Sequence, residues 1–264
     1  MPSLAPHDLP DHLLSTGVNT FTLADATRLL QRREDAVRKG LERLRRKRLI
    51  FSPARGFYVV IPPQFRRHGT VPATHFIDAM MHALDRRYYV SLVSAAELHG
   101  AAQPAHEPER FQVMVDRHLT SRDFGTTELW FHRSRYLRYD IGIDQHDGPT
   151  GPLRLASREL TAIDLAEHVN DCGGIHHIAA LLDTLLPLRI SNLVEIAATR
   201  DTSTIHRLGH LLRHLDPNLY LHPLAELADL RQPTPTDLAP GAPRRGHIDP
   251  YWNVRVNVQA TVNP

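Results

Sequence analysis

The order helix, tight turn, basic helix, hairpin near the N-terminus constrains the fold of this chain more than any other feature. The first helix is predicted to begin at Thr22, which is followed three residues later by Asp25, the pattern of a capping box. A brief turn around Gln31 separates it from a second helix over residues 33–48. The side of the second helix that is predicted to be buried carries Val37, Leu41, Leu44 and the stem of Arg48.

A hairpin is predicted directly after the second helix. Residues 49–51 and 57–61 are strand-like and flank a Ser-Pro-Ala-Arg-Gly turn, and Pro62-Pro63 end the pattern. With a supporting helix over about residues 8–16, this order predicts a winged helix-turn-helix domain over residues 1–70.

Positive charge is concentrated in the same region. Residues 1–70 contain 13 lysines and arginines against 6 acidic residues, which leaves 18 against 23 for residues 71–264. Between Arg28 and Arg48, ten basic residues accompany three acidic ones. A merely solvated charged helix is the plain alternative, but so unbalanced a surface would repel itself without an anionic partner. The sequence therefore predicts a nucleic-acid surface here.

The outward side of the basic helix is predicted to enter the major groove of duplex DNA. Arginine and lysine donate there to guanine O6 and N7, and small Ala36 permits close approach. RNA fits less well, because the helix has no aromatic side chain on which bases would stack. The outward stripe consists of Arg32, Asp35, Ala36, Lys39, Arg43 and Arg46. The predicted phosphate contacts are Arg33, Arg38, Arg45 and Lys47, with Arg55 at the wing tip reaching a neighbouring groove.

Residues 71–264 are predicted to form a mixed α/β domain, so the predicted fold class of the chain is α+β. A helix over 73–86 precedes YYVSLVSAAELHG, which starts as a strand and becomes helical from Leu92. Further strands are predicted at 111–117 and 127–136, and further helices at 157–170, 174–186, 191–199 and 203–214. A proline-rich link over 233–250 and a terminal strand, YWNVRVNV, complete the predicted domain.

The segment HRSRYLRY (132–139) is interpreted as a strand rich in arginine and tyrosine. Both residue types are enriched where protein interfaces bind most strongly, although an edge strand protected by charge explains the pattern equally well. The candidates for partner contact are Arg133, Arg135, Tyr136 and Arg138.

The chain lacks patterns for catalysis, metal binding or cofactor binding. One cysteine, Cys172, with scattered histidines gives no paired zinc motif. A restriction-type nuclease centre combines acidic residues with a lysine, but lysine occurs only at Lys39 and Lys47, and Asp116 has no partner carboxylate nearby in the sequence. The sequence thus predicts a protein that is not an enzyme and has neither a metal nor a cofactor.

The single cysteine also predicts a reducing compartment, because no internal disulfide can form. The chain has no long apolar run, and its N-terminal residues do not show the pattern of a signal peptide. A cytoplasmic protein without a membrane partner is therefore expected.

Five segments, taken in order, resemble the AbiEi antitoxins of bacterial type IV toxin–antitoxin systems. They are the basic helix running into RLIFSPARGFYVVIPP, then YYVSLVSAAELHGA, QPAHEPERFQVMVDR, LRLASRELTAIDLAEH and IHRLGHLLRHL. The resemblance implies an N-terminal winged helix that represses its own operon at inverted repeats. It also implies a C-terminal α/β domain that neutralises a nucleotidyltransferase-like AbiEii toxin.

By position, the resemblance implies that DNA is contacted by Arg32, Lys39, Arg43 and Arg46 and by Arg55 in the wing. One departure concerns the entry to the hairpin. Family members often have a glycine just before the first wing strand, where this chain has Lys47-Arg48.

The leading hypothesis is a DNA-binding repressor that is also the antitoxin of a nucleotidyltransferase toxin. A transcriptional regulator with a ligand- or partner-sensing C-terminal domain is the main alternative, and a scaffolding protein that uses the basic helix for protein contact is a third. Because operators with two-fold symmetry pair two protomers, a monomer, a weak dimer and pairing only on DNA all stay open.

Overall fold

A computed structural model describes residues 4–101, 108–229 and 234–258. By their internal contacts these residues divide into two compact units. The first unit holds the described residues of 1–88, 105–134 and 145–154, and the second unit holds those of 89–104, 135–144 and 155–264. The fold is mixed α+β, as the sequence predicts. Across the described ranges, no helix is both long and apolar enough to cross a membrane.

The N-terminal part of the first unit contains the predicted helices and hairpin together with one additional strand. Its elements are α1 (Leu9–Ser15), β1 (Thr20–Thr22), α2 (Leu23–Leu30), α3 (Glu34–Arg46), β2 (Ile50–Ala54) and β3 (Phe57–Val60). The strands form an antiparallel sheet in the order β1-β3-β2, with Thr20 opposite Val59 and Ile50 opposite Val60. The short β1 strand was not predicted.

Local hydrogen bonds explain where α2 begins. Thr22 Oγ1 accepts from the Asp25 backbone N–H at 3.1 Å, and Asp25 Oδ2 accepts from the Thr22 N–H at 2.9 Å. The predicted capping box is therefore confirmed. Gln31 ends the helix in the left-handed region, with φ of 49°.

Helices α1, α2 and α3 and the small sheet share one apolar core. Its buried members are Leu9, Leu13, Phe21, Ala26, Leu30, Val37, Leu41, Leu44, Ile50 and Val60. Burying a side chain of this size stabilises a fold by about 1.5–3 kcal/mol, so this core holds α3 firmly by its apolar side. Gly40 lies on that side, where an added Cβ would come 3.1 Å from the Cβ of Pro6. Close approach to the N-terminal segment explains the glycine within the helix.

The middle of the chain alternates strands and short helices. Its elements are α4 (Ile77–Ala83), β4 (Tyr88–Val90), α5 (Leu92–Leu98), β5 (Glu109–Val115), β6 (Arg122–Asp123), β7 (Thr127–Arg133), β8 (Ile143–Gly148) and β9 (Gly151–Ala156). The helix predicted over 73–86 is interrupted, because Phe76, with φ of −143°, separates the 3-10 turn Ala73–His75 from α4. In the first unit β7 pairs with β5 in parallel and with β6 in antiparallel orientation.

The second unit is mainly helical. Its later elements are α6 (Arg158–Glu167), α7 (Ile175–Leu185), α8 (Ile190–Ala197), α9 (Thr202–Leu215), α10 (His222–Asp229), β10 (Thr236–Asp237), β11 (Ile248–Asp249) and β12 (Val254–Arg255). The four helices predicted between residues 157 and 214 are confirmed, and α6 is capped by the Ser157 hydroxyl. Helix α10 was not predicted.

The C-terminal residues 234–258 pack on α9. The predicted terminal strand is present but short, and β12 lies between β10 and β11. Pro233, the first residue of the predicted link, lies outside the described residues. The buried Arg207 guanidinium donates to the Leu238 carbonyl at 3.0 Å, and His210 Nδ1 lies 2.7 Å from Asp249 Oδ2. These contacts tie the last strands to the helix.

Replacing Gly209 with alanine is expected to destabilise this packing by about 1–3 kcal/mol, the usual cost of overpacking. A Cβ at Gly209 would overlap the ring of Trp252, which is fully buried against α9. Urea unfolding followed by circular dichroism measures the loss. Ser203→Ala, at an exposed position of the same helix, is the control and should leave the unfolding midpoint unchanged. Equal midpoints for both variants would contradict the tight contact at Gly209.

Candidate nucleic-acid interface

Helix α3 presents an apolar side to the core and a basic side to solvent. Val37, Leu41 and Leu44 are buried, as predicted. The exposed basic side chains on α3 and beside it are Arg32, Arg33, Arg38, Lys39, Arg43, Arg45, Arg46, Lys47 and Arg48. Three basic residues in the last turn also complement the negative end of the helix dipole.

Ion pairs divide these basic side chains into two groups. Arg38 pairs with Glu34 at 2.6 Å, while Arg45 and Arg46 both approach Glu42, at 3.2 and 3.6 Å. Within the described part of the chain, no carboxylate pairs with Arg32, Arg33, Lys39, Arg43, Lys47 or Arg48. Three of these six, Arg32, Lys39 and Arg43, belong to the stripe that the helical spacing predicts to face outward.

The turn before α3 places two of the predicted contacts. It spans residues 31–33, and the extended Arg33 is the N-cap residue of α3. Three residues are the length typical of the turn in a helix-turn-helix. Arg32 and Arg33 therefore lie at the N-terminal end of α3.

The hairpin turn presents Arg55 to solvent. Gly56 follows with φ of 74°, the conformation that glycine adopts without strain. The Gly56 carbonyl accepts from the Leu23 backbone N–H at 2.9 Å, so the turn is bonded to the start of α2. Arg55 itself is exposed, and among the described residues it has no ion pair.

Arg48 lies where the chain passes from α3 into the hairpin, a place at which family members often have a glycine. Its φ of 54° lies in the left-handed region, so an arginine occupies the conformation that glycine favours. The Leu49 N–H donates to the Leu44 carbonyl at 3.0 Å, which closes the end of α3 around this residue.

The strand predicted over residues 132–139 is wrong beyond Arg133. Strand β7 ends at Arg133, and Arg135–Tyr139 form a 3-10 helix. Consecutive Tyr136 and Leu137 are both buried. Side chains that follow one another in a strand point to opposite faces, so burying both on one side requires a helical turn.

The four candidate partner residues are placed differently by this turn. Arg133 and Arg138 are exposed, whereas the Tyr136 side chain is buried. Arg135 is exposed and bonds Asp201 at 2.6 Å, and its guanidinium lies over the Tyr136 ring. The three arginines are exposed, and the buried Tyr136 ring lies beneath Arg135.

A buried charged network in the second unit escaped sequence reasoning. Arg200 and Asp164 are 3.2 Å apart and only 4% and 1% exposed, and the Tyr89 hydroxyl donates to Asp164 at 3.0 Å. Burial raises the pKa of the Asp164 carboxyl to about 6, an effect that the positive charge of Arg200 opposes. The signal in the sequence was an acidic residue within α6, a helix that is buried along nearly its whole length.

In the segment at residues 172–177, the described contacts of the cysteine and of His177 stabilise the fold. Cys172 is buried, and burial raises the pKa of its thiol well above the usual range. His177 Nδ1 lies 2.7 Å from the Cys172 carbonyl oxygen, so the ring contacts the backbone of the same turn.

The second unit contains most of a segment that matches a known protein family. Residues 89–214 match the family model described as the AbiEi antitoxin C-terminal domain. This match confirms the resemblance to the AbiEi antitoxins seen in the sequence and supports an antitoxin role. No curated protein matches the chain.

A similar fold exists among solved structures. The crystal structure of the RV2827C protein from Mycobacterium tuberculosis superposes with a TM-score of 0.68 at 16% sequence identity. The match covers 94% of this chain and 89% of that chain. At this identity the likeness shows a common fold alone.

Proposed function

We propose that residues 1–70 form a winged helix-turn-helix that binds duplex DNA through α3. The observation that carries this proposal is the exposed stripe of Arg32, Lys39 and Arg43, for which the described residues offer no ion pair. A cationic stripe of this kind is complementary to the phosphates and guanine edges of a major groove. The three-residue turn before α3 and the hairpin after it are the arrangement in which such a helix is usually presented.

The remaining contacts follow from the same docking. Arg33 at the start of α3 would lie where phosphates pass a helix bound in the groove, and Arg55 would reach the neighbouring groove. Arg46 would exchange its 3.6 Å pairing with Glu42 for a contact in the major groove. Inverted repeats in the operator would then place two protomers side by side on DNA.

We also propose that residues 71–264 neutralise a nucleotidyltransferase-like toxin encoded in the same operon, and that the DNA-binding region represses that operon from the cytoplasm. The AbiEi family match supports the antitoxin role. Exposed Arg133, Arg135 and Arg138 are the proposed toxin contacts, because arginine is enriched at the centres of protein interfaces. The proposal gives the protein no catalytic step of its own.

The test of DNA binding is a fluorescence anisotropy titration of the full chain. The probe is a duplex taken from directly upstream of its own coding sequence, and a duplex of the same length and base composition in shuffled order is the control. Specific complexes are typically about 10³-fold tighter than non-specific ones, or more. Equal affinity for both duplexes would contradict autorepression.

The test of the antitoxin role separates neutralisation from repression. The neighbouring gene is expressed from an inducible promoter unrelated to the operon, together with either the full chain or its Lys39→Ala/Arg43→Ala variant. Both are expected to restore growth, because neutralisation is assigned to residues 71–264. Growth inhibition that persists with the full chain would refute the antitoxin proposal for this gene pair.

A further inference from the structure

Among the residues that the structure describes, one acidic side chain on the basic stripe lacks the ion pair that its acidic neighbours have. Glu34 is 2.6 Å from Arg38, and Glu42 is 3.2 Å from Arg45. Asp35 is exposed, and in the described parts of the chain no basic side chain pairs with it.

The position of Asp35 makes this difference significant. Residues three and four apart are neighbours on one side of a helix, and Asp35 lies four residues before Lys39 in α3. Its carboxylate therefore belongs to the stripe proposed to face the base edges. Glu34, one residue earlier, is rotated away from that stripe by about 100°.

A carboxylate at this place has a defined chemical preference. Phosphates repel it, and so do guanine O6 and N7, thymine O4 and adenine N7, which are all hydrogen-bond acceptors. Cytosine presents the N4 amino group to the major groove, and aspartate and glutamate accept from it. Adenine also has a donor, its N6 amino group, but the neighbouring N7 acceptor repels a carboxylate, so a cytosine opposite Asp35 compensates for the repulsion best.

We propose that Asp35 is a specificity-determining residue that selects cytosine at one position of the operator. The inference rests on the proposed DNA-binding function and extends it. Asp35 lowers affinity for DNA in general and penalises sites without that cytosine, whereas Arg32, Lys39 and Arg43 supply the attraction.

The experiment is selection from a randomised duplex library by the full chain, followed by sequencing of the bound fraction. It is repeated with Asp35→Ala, Asp35→Asn and the matched control Glu34→Gln, which removes a charge from the same helical turn. Duplexes that differ only at the selected cytosine are then titrated, and thermal unfolding of each variant verifies that it is folded.

The wild-type protein is expected to prefer cytosine at one position by about tenfold, within the range of a good side-chain-to-base contact. Asp35→Ala should lose the preference at that position alone, and Asp35→Asn should shift it towards adenine, to which asparagine bonds through N6 and N7. Glu34→Gln should keep the wild-type preference.

Two results overturn the inference alone: the same cytosine preference in Asp35→Ala as in the wild type, or the same loss of preference in Glu34→Gln. The proposed function fails together with the inference if two results coincide. The wild-type protein selects no sequence, and the Lys39→Ala/Arg43→Ala variant binds DNA as well as the wild type does. The library therefore distinguishes the two failures.

Discussion

Replacing Lys39 and Arg43 together with alanine is expected to weaken DNA binding by at least about 30-fold. Each side chain is assigned a contact of about 1–3 kcal/mol, and 1.4 kcal/mol corresponds to a factor of ten in affinity. Both lie on the exposed side of α3, while its opposite side holds the core, so alanine should leave the fold intact. Anisotropy titration with the upstream duplex measures the loss.

Salt dependence separates two ways in which these side chains would act. Each phosphate contact removed flattens the slope of log affinity against log salt by about 0.9, whereas a lost base contact mainly relaxes sequence preference. The control is Arg189→Ala with Arg245→Ala, which removes the same charge from exposed positions of the second unit. Undiminished affinity of the Lys39 and Arg43 variant would exclude α3 from the interface.

The Arg200→Met variant is expected to lose about 3–5 kcal/mol of folding free energy, the usual result of leaving a buried charge unpaired. Asp164 would remain 1% exposed without its opposite charge, 3.2 Å from where the guanidinium had been. The free energy of unfolding, measured with urea, reports this change.

Two further variants make the test specific. Arg135→Ala removes an ion pair with Asp201 in which both side chains are more than half exposed, so its cost should stay within about 1 kcal/mol. The double variant Arg200→Met/Asp164→Leu should recover much of the loss, because apolar side chains of similar size replace buried ion pairs well. A loss no larger in Arg200→Met than in Arg135→Ala would contradict the importance of the buried pair.

The elements that could be predicted from sequence are those defined by neighbours in the chain. The capping box at Thr22, the helical spacing of Val37, Leu41 and Leu44, and the turn at Gly56 each depend on residues within a few positions of one another. The stripe with Arg32, Lys39 and Arg43 followed directly from the same spacing. The placement of Lys39 and Arg43 on the exposed side of α3 therefore needed no knowledge of the tertiary fold, whereas Arg32 lies in the turn before the helix.

The features that escaped prediction depend on distant partners. Strand β1 is only three residues long and is a strand because Thr20 pairs with Val59. The turn at Arg135–Tyr139 follows from burial of Tyr136, whose ring lies beneath Arg200, far along the chain. Periodicity does not show which acidic residue pairs with which arginine. That Asp35 has no ion pair among the described residues therefore became visible only in three dimensions.

The hydrogen bond from the Leu23 N–H to the Gly56 carbonyl has a thermodynamic consequence for binding. It joins the hairpin turn to the beginning of α2, so Arg55 is carried on a turn whose backbone is already ordered. Ordering a loop upon association consumes conformational entropy, and a preorganised loop avoids that loss. A DNA contact from the wing would consequently retain more of its interaction free energy than the same contact from a free loop.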